Sequence, residues 1–258
     1  MDLDLTGKHA VVCGSTQGIG RAAAFELALL GASVTLMARD EQKLERVAAE
    51  LPGQQHQYLV ADFSNPVLVE AAINKHVGHH GVHILINNTG GPPGGQAIDA
   101  HTNEFLKAFT AHLICNQILV QAVVPFMKQH KFGRIVNIIS TSVKIPMRGL
   151  GVSNTVRGAV ASWSKTLSVE LGPFGITVNN VLPGATMTAR LKALAQSRAE
   201  KTSRSYSEIM NEMIAEIPAG RVGDPHEVAA AIAFLATPAA AYINGINVPV
   251  DGGRTGSL

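Results

Sequence analysis

The sequence is short of several residue types, and each shortage excludes something. Only two cysteines occur in 258 residues, Cys13 and Cys115. That excludes a disulfide scaffold and predicts a reducing compartment. Charged residues amount to 16% and the net charge is +2, with Lys and Arg dispersed; no nucleic-acid footprint follows from such a pattern. The longest apolar stretch noted, 228–242, is broken by Thr237 and Pro238 and falls short of the roughly 20 residues of a membrane span. The start, Met1-Asp2-Leu3-Asp4, lacks the basic and apolar regions of a secretory signal. The expectation is a cytoplasmic protein with neither membrane nor nucleic-acid partners. Tyrosine is scarce too: Tyr58, Tyr206 and Tyr242 are the only three.

What is present describes a globular interior. Hydrophobic residues make up 46%, and a chain of this length buries about three quarters of the surface exposed when unfolded. No repeat, low-complexity tract or linker divides it, so 1–258 reads as a single domain. Short β-branched runs at 9–13, 33–37, 57–60, 83–86, 134–139, 176–181 and 246–250 alternate with helix-periodic stretches at 19–30, 41–51, 66–77, 103–130 and 153–171. This alternation predicts right-handed crossovers, hence a Rossmann-type, doubly wound α/β domain with a seven-stranded parallel sheet and helices on both faces, rather than a barrel. Ligands of such sheets sit at the carboxyl ends of the strands.

Directly after the first run comes Cys13-Gly14-Ser15-Thr16-Gln17-Gly18-Ile19-Gly20, opening the first helix. Glycines at 14, 18 and 20 permit a tight turn, close approach to a pyrophosphate and packing of helix on strand, while the helix N-terminus faces the phosphates. The second strand ends at Met37-Ala38-Arg39-Asp40. Arg39 suits the 2′-phosphate of NADP(H); Asp40 either caps the next helix or reaches the ribose of NAD(H). NADP(H) is favoured, with NAD(H) the alternative.

These residues resemble the short-chain dehydrogenase/reductase family, in the subset similar to 3-oxoacyl-(acyl carrier protein) reductases. The resemblance rests also on Ala61-Asp62, Asn87-Asn88-Thr89-Gly90, Gly133-Arg134-Ile135-Val136-Asn137, Pro183-Gly184 with Thr188, Gly220-Arg221-Val222-Gly223-Asp224-Pro225 and Val250-Asp251-Gly252-Gly253. It implies that Asp62 and Phe63 flank the adenine, that Asn88, Thr89 and Gly90 line the cofactor, and that Pro183, Gly184 and Thr188 sit by the nicotinamide. It also implies a homotetramer or dimer joined through 103–130 and 153–171.

The catalytic positions depart from the family, which uses an Asn, a Ser and a Tyr-x-x-x-Lys pair. Ser140 matches the Ser. Thirteen residues on, where Tyr is expected, stands Ser153, and four further, where Lys is expected, stands Arg157. The Asn position, twenty-eight before Ser140, is His112. No tyrosine has a lysine four residues later. An aliphatic hydroxyl is a far weaker acid than a phenol, and an arginine keeps its charge without relaying a proton. Cofactor binding is therefore expected to survive better than proton transfer. His112, with an ordinary pKa near 6.5, and Lys144 are candidate proton donors, Ser140 is expected to polarise a carbonyl, Arg157 to reach the nicotinamide ribose, and Asn116 is a candidate stand-in for the missing Asn.

The resemblance also implies that residues 190–217 form a lid over the substrate. Arg190, Lys192, Arg198, Lys201 and Arg204 stand against Glu200 alone within 190–204, which suits an acidic substrate such as a thioester of coenzyme A, or else a solvated helix face. The histidine run at 76–83 contains Gly78 and Gly81, which break the helix that metal-ligand spacing needs, so no metal is expected. Three functions follow: an NAD(P)-dependent oxidoreductase reducing a carbonyl or 3-oxoacyl group with an atypical catalytic set, a cofactor-binding protein with little redox turnover, such as a sensor or inactive partner subunit, or a non-redox thioester-processing enzyme.

Overall fold

The computed structural model describes residues 1–257. Seven strands form one parallel sheet: β1 (His9–Cys13), β2 (Ser33–Ala38), β3 (Gln57–Val60), β4 (Ile84–Asn87), β5 (Gly133–Ile138), β6 (Ile176–Pro183) and β7 (Asn247–Val250). Their order is β3-β2-β1-β4-β5-β6-β7. The chain winds outward one way from β1 and then the other from β4. Between those two strands the crossovers part to opposite faces, opening a crevice at the carboxyl ends.

Each strand feeds a helix because short β-branched runs give way to apolar residues at three- and four-residue steps. The helices are α1 (Gly18–Leu29), α2 (Glu41–Glu50), α3 (Pro66–Val77), α4 (Thr102–Phe109), α5 (Cys115–His130), α6 (Gly151–Leu171), α7 (Ala189–Thr202), α8 (Tyr206–Ala215) and α9 (Pro225–Ala236). Alternation along β4 shows the two-faced design. Ile84 and Ile86 join the core under α1 and α9, whereas Leu85 points to the opposite core under α3 and α5. A row of asparagines crosses the sheet: Asn87 Nδ2 donates to Asn137 Oδ1 at 2.8 Å, Asn137 Nδ2 to Asn180 Oδ1 at 3.0 Å, and Asn180 Nδ2 to Asn247 Oδ1 at 2.8 Å. The strand register puts these four side by side, so each amide satisfies its neighbour inside the sheet.

The uninterrupted helix expected over 103–130 is instead broken by a π-turn at Thr110–Ile114. Helical spacing alone does not reveal a single wide turn, because apolar residues continue on both sides of it. The stretch 102–130, not 228–242, is long and apolar enough by length and composition to cross a membrane. In the fold its α5 part buries Leu119, Val120, Val123 and Met127 in the core, as a helix packed on a sheet does.

Candidate active site

The loop after β1 needs its glycines. Gly14 and Gly18 take left-handed φ values of 58° and 56°, which favour glycine. A Cβ on Gly14 would come within 2.5 Å of the Asn88 carbonyl oxygen, and one on Gly20 would run into Gly14 O and Asn88 Nδ2. Asn88 braces the same turn, donating through Nδ2 to Cys13 O and Gly14 O at 3.2 Å each. Ser15 is buried, and its Oγ accepts the Met37 N–H at 3.1 Å. Its side chain therefore fastens the loop to β2, leaving its backbone for the cleft. Thr16 and Ile19 are half-buried and Gln17 is exposed.

No side chain caps α1, unlike α2, α3, α7 and α9. Its first N–H groups thus face the cleft without a protein acceptor, as an anion site requires. Thr188 caps α7 and presents its methyl 3.2 Å from where a Cβ on Gly18 would stand, so it covers the loop from the β6 side. Pro183 ends β6, and Gly184 N–H donates to Val250 O at 3.0 Å. At the far end of the crevice Arg39 is exposed. Asp62 accepts the Ser64 N–H at 2.9 Å, which with the charge of Arg39 holds its carboxyl below the usual range. The Phe63 carbonyl accepts from Cys115 Sγ at 3.3 Å. Gly90 is open, with no atom near the place of a Cβ. A cradle that side chains would fill, below an uncapped helix start, fits a dinucleotide of the NADP(H) type.

The π-turn turns His112 inward, where it is 2% exposed and hydrogen-bonded through Nδ1 to Thr89 Oγ1. Burial, reinforced by the Arg157 charge, pushes its pKa down to about 2. The ring is neutral at ordinary pH, so the general-acid role expected from its unperturbed pKa does not find support in this placement. Ser140 follows β5, and its Oγ accepts the Ser142 N–H at 3.1 Å, which leaves its own proton available to donate. Ser153 is half-buried in the first turn of α6. Arg157, one turn later, is 8% exposed and donates through Nη1 to Ile138 O at 2.9 Å. Burial first and Arg190 second lower its pKa to about 10, so it stays cationic. Asn116 is buried in α5, one turn beyond His112. Lys144 is half-buried after the 3-10 turn that Ser140 caps.

The basic run over 190–204 stops short of Glu212, which binds both Arg198 and Arg204, the latter at 2.6 Å. Two of its five cations are thus paired, and Lys192 and Lys201 are exposed. Arg190, although exposed, donates to Pro92 O and comes near Arg157 at Gly91. The histidines around 76–83 gather at the amino ends of β1 and β4, where His9, His76 and His80 pack ring against ring. Among the described residues no group of three or more His, Cys, Asp or Glu could hold a metal ion.

Comparison with known proteins agrees with this geometry. Residues 14–255 match the family model described as enoyl-(acyl carrier protein) reductase. Over 254 residues the chain is 34% identical to a 3-oxoacyl-[acyl-carrier-protein] reductase of Vibrio cholerae, covering 97% of this chain and 98% of that one. The chain belongs to the short-chain dehydrogenase/reductase family. Among solved members, L-sorbose reductase from Gluconobacter frateurii, complexed with NADPH and L-sorbose, superposes with a TM-score of 0.93 at 27% identity over all of both chains. The 3-ketoacyl-(acyl-carrier-protein) reductase from Brucella melitensis, complexed with NADH, gives 0.85 at 31% identity over 98% of this chain and 100% of that one. This short-chain dehydrogenase/reductase is accordingly an NAD(P)-dependent oxidoreductase by family, with relatives that are reductases.

Proposed function

We propose that the protein reduces a carbonyl, of the kind 3-oxoacyl reductases act on, with NADP(H) preferred over NAD(H). Gly14, Gly18, Gly20 and the free N–H groups of α1 would hold the pyrophosphate, Arg39 the 2′-phosphate, Asp62 and Phe63 the adenine, and Asn88 to Gly90 with Pro183, Gly184 and Thr188 the nicotinamide side. When bound, the cofactor supplies a hydride for the carbonyl carbon.

One observation carries the reading: Arg157 is fixed to the carbonyl of Ile138, two residues ahead of Ser140. A permanent cation is thus anchored at the end of the strand that leads into Ser140, whose hydroxyl proton is free. Ser140 donates to the carbonyl oxygen, and Arg157 stabilises the negative charge that grows there. The alkoxide then takes its proton through Ser153, whose hydroxyl has no hydrogen-bond partner among the described residues, from water reaching the cleft. This route is slower than protonation by a phenol.

The neutral, buried state of His112 favours a second reading, a cofactor-binding subunit with little turnover, because no strong acid faces Ser140. The deciding experiment is a fluorescence titration with NADPH and NADH, followed by NADPH oxidation over a carbonyl panel. Binding with substrate-dependent oxidation supports the reductase. Binding without turnover supports the second reading, and no binding overturns both.

A cytoplasmic homotetramer or dimer is part of the proposal. Leu106, Ile114 and Val169 are exposed on the long helices 102–130 and 153–171, as an interface between copies would require. Size-exclusion chromatography with light scattering tests it.

A further inference from the structure

We propose that the site selects a substrate bearing a carboxylate close to its reacting carbonyl, a 2-oxo or 3-oxo acid or the matching hydroxy acid, held between Arg157 and Arg190. This rests on the carbonyl-reductase reading and narrows it.

Arg190 is the second residue of α7 and reaches back from the lid to donate to Pro92 O. Its Nε and Nη2 each lie 3.6 Å, and Arg157 Nη2 3.8 Å, from the point a Cβ on Gly91 would occupy. Two guanidinium groups therefore converge where the chain carries no side chain. Among the described residues neither has a carboxylate partner; the ion pairs lie elsewhere. Arg157 is more than nine-tenths buried, so its charge without a carboxylate partner is unfavourable unless an anion joins it, and the exposed Arg190 stands beside it to share that anion.

Two arginines further along the segment are paired. Arg198 and Arg204 share Glu212. Arg190 has no carboxylate partner among the described residues. A carboxylate between the two forks would supply the counter-charge through charge-assisted hydrogen bonds, for which planar guanidinium groups are well shaped.

The position of the anion follows from that of Arg157. Its guanidinium is tied to Ile138, at the strand end that carries Ser140. A carboxylate gripped there lies next to the carbonyl that Ser140 polarises. A thioester has no charge at that point and would leave both arginines unpaired. Beside the seat, a Cβ on Gly94 would meet Leu150 and Leu194 at 3.7 Å each, so an apolar remainder of the substrate has a wall to rest on.

The test is calorimetric titration of the NADP⁺-loaded protein with two pairs of probes: phenylglyoxylate and its methyl ester, acetoacetate and its methyl ester. At least one acid should bind ten times or more tighter than its ester. Arg190→Gln should remove that difference, Arg190→Lys should restore part of it, and NADP⁺ affinity should change less than threefold in both variants. In NADPH oxidation, the acid-to-ester ratio of kcat/KM should fall at least tenfold in Arg190→Gln. Equal binding of acid and ester, or binding of neither, overturns the proposal. So does a loss of NADP⁺ affinity in Arg190→Gln, which would assign that arginine to the cofactor's phosphates. Failure of the wild type to bind NADP⁺ instead overturns the reductase reading beneath it.

Discussion

Asp40 accepts the backbone N–H of Lys43 at 3.1 Å through Oδ1 and holds the Lys43 ammonium at 2.9 Å through Oδ2. Both oxygens are engaged in starting α2, which lowers the carboxyl's pKa and leaves Arg39 as the free charged group at the end of β2. Arg39→Ala should weaken NADPH binding on the order of tenfold or more, the loss of one charge-assisted phosphate contact, and leave NADH binding nearly unchanged. Paired fluorescence titrations check this; equal losses for both cofactors would contradict it.

In the proposed mechanism Ser140 and Arg157 divide the work on the carbonyl. Removing the hydroxyl in Ser140→Ala should lower kcat by roughly a hundredfold, the usual effect of deleting one oxyanion donor, while NADPH affinity is retained. Steady-state kinetics beside a cofactor titration separate the two effects.

Restoring the family pair tests whether the proposed site wants an acid. Ser153→Tyr combined with Arg157→Lys should raise kcat on a neutral ketone at least tenfold, since a phenol beside an ammonium is a far better donor than a serine. No gain in a folded, NADPH-binding variant would mean that proton transfer is not the slow step.

Stability should depend on pH through the histidines at the amino ends of β1 and β4. Burial pushes His76 and His83 down to about 4, helped by His9 and His80 around His76 and by Lys8, His130 and His9 around His83. The folded state holds them neutral, whereas the unfolded chain protonates near 6.5. Their contribution is complete above 6.5 and is lost as the pH falls toward 4. With allowance for solvent screening, each should lose roughly 2 kcal/mol over that window. Urea denaturation at stepped pH measures this, and His76→Gln with His83→Gln should flatten the profile.

The asparagine row should be a strong point of the sheet. Asn137 is fully buried, accepts from Asn87 and donates to Asn180 and, at 3.2 Å, to Ser164 Oγ. Asn137→Ala leaves those partners unsatisfied and should destabilise the protein by about 2–4 kcal/mol. Thermal unfolding should shift down by roughly 5 °C or more.

Much of this was legible in one dimension, for a local reason. The strand–glycine loop–helix unit at 9–20, the alternation of runs with helical stretches, and the absence of a tyrosine thirteen residues after Ser140 are properties of neighbouring residues. Together they determined a doubly wound sheet and pointed to the nucleotide site and the atypical catalytic set proposed above. The tertiary structure decided what depends on distant groups meeting. The π-turn buries His112 and strips it of its charge, because a ring removed from water beside Arg157 is more stable neutral. Asp40 is committed to α2. Glu212 pairs Arg198 and Arg204, which a count over 190–204 left unbalanced, while Arg190 comes near Arg157 at Gly91. Charge state and pairing are set by desolvation and by contacts between residues far apart in the chain, and no local pattern records them.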